Sequence, residues 1–165
     1  MKGCKGYIFA ILALLMTATV ATAQHQHSAP VVVEIDGGAH PEQIPDSTAY
    51  FNFFFHRSSP SNTGYSPEMF EAAVHSVGLD AQDELVFRTA MAQFQSQFEA
   101  WKVKFTPLAE KGLLKGTDFW TATGGINGIV QQTRVTLEKN LSKVGLVKYE
   151  GSVLWMRNHT TAVMQ

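Results

Sequence analysis

Seven large apolar residues, Phe87, Met91, Phe94, Phe98, Trp101, Phe105 and Leu108, follow one another at steps of four and three. No other feature limits the fold of this chain as strongly. Residues so spaced fall on one face of an α-helix, and a face this apolar has to be covered by other elements. Gln93, Gln95, Ser96, Gln97, Glu99 and Lys102 lie between them and form the opposite, solvated face. Trp101-Lys102-Val103-Lys104-Phe105 alternates as a strand would, but that short alternation is outweighed by the longer helical period around it. Pro107 lacks an N–H and is expected to kink or stop this helix.

The rest of the chain supplies partners for that face. Pro45 can open a helix at its first position, with Asp46 near the positive end of the dipole, and Tyr50, Phe51, Phe53, Phe54 and Phe55 follow. Aromatics around so much of one helix imply burial on several sides. Ser58 to Tyr65 reads as a polar loop. Ser66-Pro67-Glu68 announces a second helix with Ser66 as N-cap, ending near Gly78, and Asp80 can cap the helix that carries the long seam. A fourth helix is expected from Thr117-Asp118. Gly124, Gly125 and Gly128 interrupt it, and since an interior glycine costs about 1 kcal/mol relative to alanine, the helix either breaks there or has a close neighbour. Ser142 to Gly145 reads as a break, and a last helix carries Tyr149, Val153, Met156, Thr160 and Val163. Short connections between five amphipathic segments predict an all-α fold, an antiparallel bundle of about five helices.

The N-terminal part is of a different kind. Lys2 and Lys5 precede the uncharged apolar run Ile8 to Val20, and Ala21-Thr22-Ala23 offers the small residues that a signal peptidase reads, so residues 1–23 are expected to direct export and to be cleaved after Ala23. The run is shorter than the roughly 20 residues a membrane-spanning helix needs, so no membrane span is expected after cleavage. The mature chain would be periplasmic or extracellular. Residues 24–40 are expected as a flexible or extended leader, with the bundle occupying residues 41–165. Within the leader, Val31-Val32-Val33-Glu34-Ile35 is extended in character, stopped by Asp36-Gly37-Gly38, and the sequence offers it no convincing second strand.

Charge and cysteine usage narrow the function. Cleavage would remove two lysines and no acidic residue, moving the formal charge from −1 to −3. With Lys102 and Lys104 as the densest basic grouping, nucleic acid is not an expected partner. Cys4, the single cysteine, would leave with the signal, so no disulfide, thiol nucleophile or cysteine metal ligand is expected in the mature chain. The glycines around Gly124 lack the Gly-Lys-Ser/Thr ending of a phosphate loop. His25 and His27 fix no coordination geometry, and no His-Glu-x-x-His pattern occurs, so neither a metal nor another cofactor is expected.

The block Gly38-Ala39-His40-Pro41-Glu42-Gln43-Ile44-Pro45-Asp46-Ser47-Thr48-Ala49-Tyr50 with Phe53-Phe54 resembles a pattern of uncharacterised exported bacterial helical proteins, Gly-x-x-x-Pro-Glu-x-Ile-Pro-Asp-x-x-Ala-Tyr-x-x-Phe-Phe. The resemblance covers about 17 residues, implies a signal peptide followed by long helices, and carries no catalytic residue with it. The expected role is a non-enzymatic binding or interaction module of the cell envelope. Its groove is expected at Tyr50, Phe53, Phe54 and Trp101, and its partner would be a protein or an apolar ligand. The competing reading is a hydrolase-like or metal-dependent enzyme built from His40, Glu42, Asp46 and His56, which requires those side chains to converge.

Overall fold

A computed structural model describes residues Val33–Met164. The expected signal segment and the pair His25 and His27 lie outside the described residues. Strand β1 (Val33–Asp36) leads through a short 3-10 turn at Pro41–Gln43 into α1 (Asp46–Ser58), α2 (Pro60–Thr63), α3 (Pro67–His75), α4 (Ala81–Glu110), α5 (Thr117–Asn140), α6 (Lys143–Asn158) and strand β2 (Thr161–Met164). The fold is a helical bundle, and its five longer helices are those that the sequence periodicities mark out.

Helix α1 is the centre. Tyr50, Phe51, Phe53, Phe54 and Phe55 are all buried, because α4, α5 and α6 pack around α1 and leave only Asn52 and His56 half-exposed between its ends. The seam of α4 meets it ring against ring. Phe53 packs edge-on to Phe87 at 5.9 Å, Phe54 meets Phe94 at 5.5 Å, and Phe51 and Phe55 both meet Phe98 at 5.6 Å. From α6, Tyr149 reaches Phe53 at 5.6 Å. These centroid separations and tilts are the favourable arrangements of aromatic quadrupoles, so the core gains orientation as well as area.

The helix starts follow the local chemistry. Ser66 Oγ accepts from Met69 N–H, Asp80 from Asp83 N–H, and Ser142 from Gly145 N–H, each as an N-cap. Pro45 stands one position earlier than expected, as the extended N-cap of α1. The polar stretch after α1 is more ordered than a loop, since Ser59 caps the short α2 by accepting from Ser61 N–H. Helix α4 runs on to Glu110, so Pro107 does not stop it at once. Its missing N–H deprives the Val103 carbonyl of its intrahelical partner on an exposed stretch of the helix, where water can replace it.

At the glycines of α5 the helix stays unbroken. Trp101 Nε1 donates to the Ala122 carbonyl at 2.9 Å, and a Cβ on Gly125 would lie 3.2 Å from the Trp101 ring. Close packing of an indole therefore accounts for Gly125, whereas Gly124 and Gly128 face open space.

The ends of the described chain depart from expectation. Val33–Asp36 does have a partner: it pairs antiparallel with Thr161–Met164, Ile35 opposite Ala162. The last helix accordingly stops at Asn158, and Val163 belongs to a strand instead of a helical face. The pairing satisfies the backbone of a segment that could not satisfy itself. Gly37 makes the approach possible. Its N–H donates to the Thr160 carbonyl at 2.9 Å, and a Cβ there would fall 2.2 Å from the Arg157 carbonyl oxygen. Among the described residues, no helix is long and apolar enough to cross a membrane.

Candidate functional site

The four rings expected to form a groove are not at the surface. Tyr50, Phe53, Phe54 and Trp101 are all buried. Tyr50 donates its hydroxyl to Glu150 Oε2 at 2.8 Å, and Trp101 is held by the Ala122 carbonyl. Burial and the neighbouring carboxylate push the Tyr50 hydroxyl pKa upward, so it stays neutral. The expectation gives way for a packing reason. Rings placed all round one helix are consumed by the three helices that surround it, and no aromatic surface is left over for a partner there.

The residues of the enzyme reading occupy separate places. His40 and Glu42 form an exposed pair with Nδ1 and Oε1 3.4 Å apart. Asp46 is ion-paired with Arg157 of α6. His56 lies ten residues further along α1, about 15 Å away by helical rise. Among the described residues, no three His, Cys, Asp or Glu side chains converge as a metal would need.

His56 does mark a concavity. A cleft of about 790 Å³ opens between the end of α1, the end of α3 and one face of α6. Helix α1 contributes His56 and Arg57, and Tyr65 stands on the connection before α3. Helix α3 and its end supply Ala73, Ser76 and Val77. Helix α6 contributes Lys148, Gly151, Ser152, Trp155 and Met156, which its helical period places along one side, and His159 closes the row at its C-cap.

Arg57 is the unusual member. It is only 7% exposed, its guanidinium carbon sits 4.3 Å from the centre of the Phe53 ring, and its Nε is buried without a hydrogen-bond partner. None of the ion pairs among the described residues includes it. Burial brings its pKa down to about 10, which leaves it charged at neutral pH. The Phe53 face and the negative end of the α1 dipole offset part of the cost of burying that charge. Beside it, burial and then the Arg57 charge lower the His56 pKa, so this imidazole is neutral at pH 7.

The α6 wall is both apolar and polar. Trp155 is 54% exposed and stacks on His159, with ring centres 4.0 Å apart. His159 Nδ1 donates to the Trp155 carbonyl at 2.8 Å, which fixes the orientation of the ring. Lys148 Nζ donates to the Gly78 carbonyl at 2.6 Å and holds a second positive charge at the rim. No carboxylate among the described residues lines the cleft. It therefore has a positive, partly desolvated floor and an aromatic wall, a combination suited to holding a molecule by an anionic or polar group and an apolar body.

Of these residues only His56 is a candidate site residue on sequence grounds. Trp155 and His159, one helical turn apart, were a visible pair. Arg57 follows an aromatic run with no acidic residue four positions to either side, which marks an arginine without a helical ion-pair partner. A scan against protein-family models and searches of curated proteins and of solved structures find no match.

Proposed function

We propose that this chain is an exported, non-enzymatic binding module of the cell envelope, and that it holds its ligand in the cleft between α1, α3 and α6. The observation that carries this reading is a sizeable concavity whose lining includes both an exposed tryptophan and a buried arginine without an ion pair. Pockets of this size with a mainly apolar lining and a few convergent polar groups are the usual form of small-molecule sites. Export rests on the charged start, apolar run and small residues of positions 1–23, and is supported by the resemblance of the Gly38 to Phe54 block to exported bacterial helical proteins.

Gly151 offers a way to test the cleft. A Cβ there meets nothing within 4 Å, so Gly151→Trp adds bulk to the cleft without striking the core. The mature protein, incubated with a small-molecule extract of the envelope and examined by native mass spectrometry, is expected to retain a ligand that the Gly151→Trp variant does not. Equal retention by both forms would place binding elsewhere. No retention, combined with turnover in a hydrolase panel, would favour an enzyme.

A further inference from the structure

We infer that the cleft recognises an organic carboxylate, with its anionic head on Arg57 and its apolar body along Trp155 and Met156. The inference rests on the reading of the cleft as a binding site and adds the chemistry of the ligand. Arg57 is more than nine-tenths buried and belongs to the cleft lining, yet it has no ion pair and its Nε has no hydrogen-bond partner. A buried charge without a countercharge is costly, and a bound anion would relieve that cost. Among the described residues no carboxylate lines the cleft, so none there competes for the guanidinium.

The charge count selects a monoanion. Arg57 provides one buried positive charge, and Lys148 lies at the exposed rim with one of its donors already given to the Gly78 carbonyl. The α1 C-terminus, the negative end of its dipole, sits at Arg57 and repels a dianion more strongly than a monoanion. A planar guanidinium matches the two oxygens of a carboxylate through paired N–H donors. Further along, the Trp155 face and Met156 present the apolar surface that a flat or aliphatic body would cover. His159, stacked on Trp155, keeps that indole oriented.

Calorimetric titration of the mature chain with three probes of one shape tests this. The probes are 1-naphthylacetate, its neutral amide 1-naphthaleneacetamide, and the dianion 1-naphthyl phosphate. The acid is expected to bind about tenfold or more tightly than the amide, as a charge-assisted pair requires, and more tightly than the phosphate. Arg57→Met should remove that preference, lowering acid affinity about tenfold or more. Lys148→Gln, on an exposed side chain, should weaken the acid only slightly and does not disturb the core. Because the acid-to-amide ratio is read on the unaltered protein, the test stands even if Arg57→Met folds poorly. Equal binding of acid and amide, both lost in Gly151→Trp, would overturn the carboxylate inference and leave the cleft as a site. Tighter phosphate binding would overturn it likewise. No binding of any probe, together with no ligand retained from the envelope extract, would remove both the inference and the site beneath it.

Discussion

Phe98→Ala is the sharpest probe of how the bundle is held together. The ring is 1% exposed and contacts Phe51, Phe55, Phe94 and Trp101 at centroid distances of 5.6 to 5.9 Å. Truncation removes burial from four other rings at once and leaves a cavity that two flanking helices have to close. Phe→Ala changes at such sites cost about 3–5 kcal/mol. Set against a total stability of about 5–15 kcal/mol, this is a large share of what holds the fold. At roughly 4 °C per kcal/mol for a domain of this size, the melting temperature should fall by about 12–20 °C. Val103, on the same helix and 77% exposed, supplies the control, since Val103→Ala should change stability by less than about 0.5 kcal/mol. Urea unfolding followed by circular dichroism measures both. A cost below about 1 kcal/mol for Phe98→Ala, or one equal to that of Val103→Ala, would refute the argument that the α1–α4 aromatic interface carries the core.

Three further outcomes follow from particular residues. A Cβ on Gly145 would lie 2.1 Å from Asp83 Oδ2, the carboxylate that accepts from Ser142 N–H and Oγ–H, so Gly145→Ala should destabilise by about 1–3 kcal/mol. Gly151→Ala, in open space within the same helix, should instead stabilise by about 0.5–1 kcal/mol, and urea midpoints that move the same way for both would contradict the geometry. Stability should depend on pH at both ends. Burial lowers the His56 pKa below 6.5, so the unfolded chain takes up that proton first and stability falls as pH drops through about 6.5 and below. Glu71, Glu84 and Asp83, lowered by their hydrogen bonds to Arg88 and Ser142, add losses from about pH 4.5 downward. Tyr50 and Tyr149, raised by burial, make stability fall above about pH 10. Urea midpoints that rise between pH 7 and 5.5, or a His56→Phe variant with an unchanged slope there, would run against this. Finally, intact-mass analysis of the exported protein should show a chain beginning at Gln24, whereas retention of Met1 to Ala23 would make that segment an anchor.

What could be read from the sequence was what is local. The seam of α4 was legible because its period is carried by one helix, and the caps at Ser66 and Asp80 were legible because a side chain and an N–H three residues on decide them. The strand pairing was not. Residues Thr161 to Met164 are few, they follow a helical pattern, and their partner lies at the other end of the described chain. The aromatics of α1 were recognised as exceptional, but whether such rings fill a core or line a groove depends on how many helices cover them. Periodicity counts faces and not neighbours. The cleft was hidden for a related reason: His56, Tyr65, Val77 and Trp155 come from separate elements, and what distinguishes Arg57 is a missing ion pair, which only tertiary structure displays. Gly125 lies between these cases, since the choice between a break and a close neighbour was open in the sequence and is decided by the Trp101 indole.

The three tryptophans make the central claim directly measurable, because each sits in a different environment. Trp101 is buried and bonded to the Ala122 carbonyl, Trp120 is exposed on α5, and Trp155 lines the cleft. In a ¹⁵N-resolved spectrum of the labelled mature protein, their indole N–H signals report on core, surface and cleft separately. Titration with 1-naphthylacetate should move the Trp155 signal saturably and leave those of Trp101 and Trp120 in place. Movement of the Trp101 signal with Trp155 unchanged would return the site to the aromatic core and contradict the cleft.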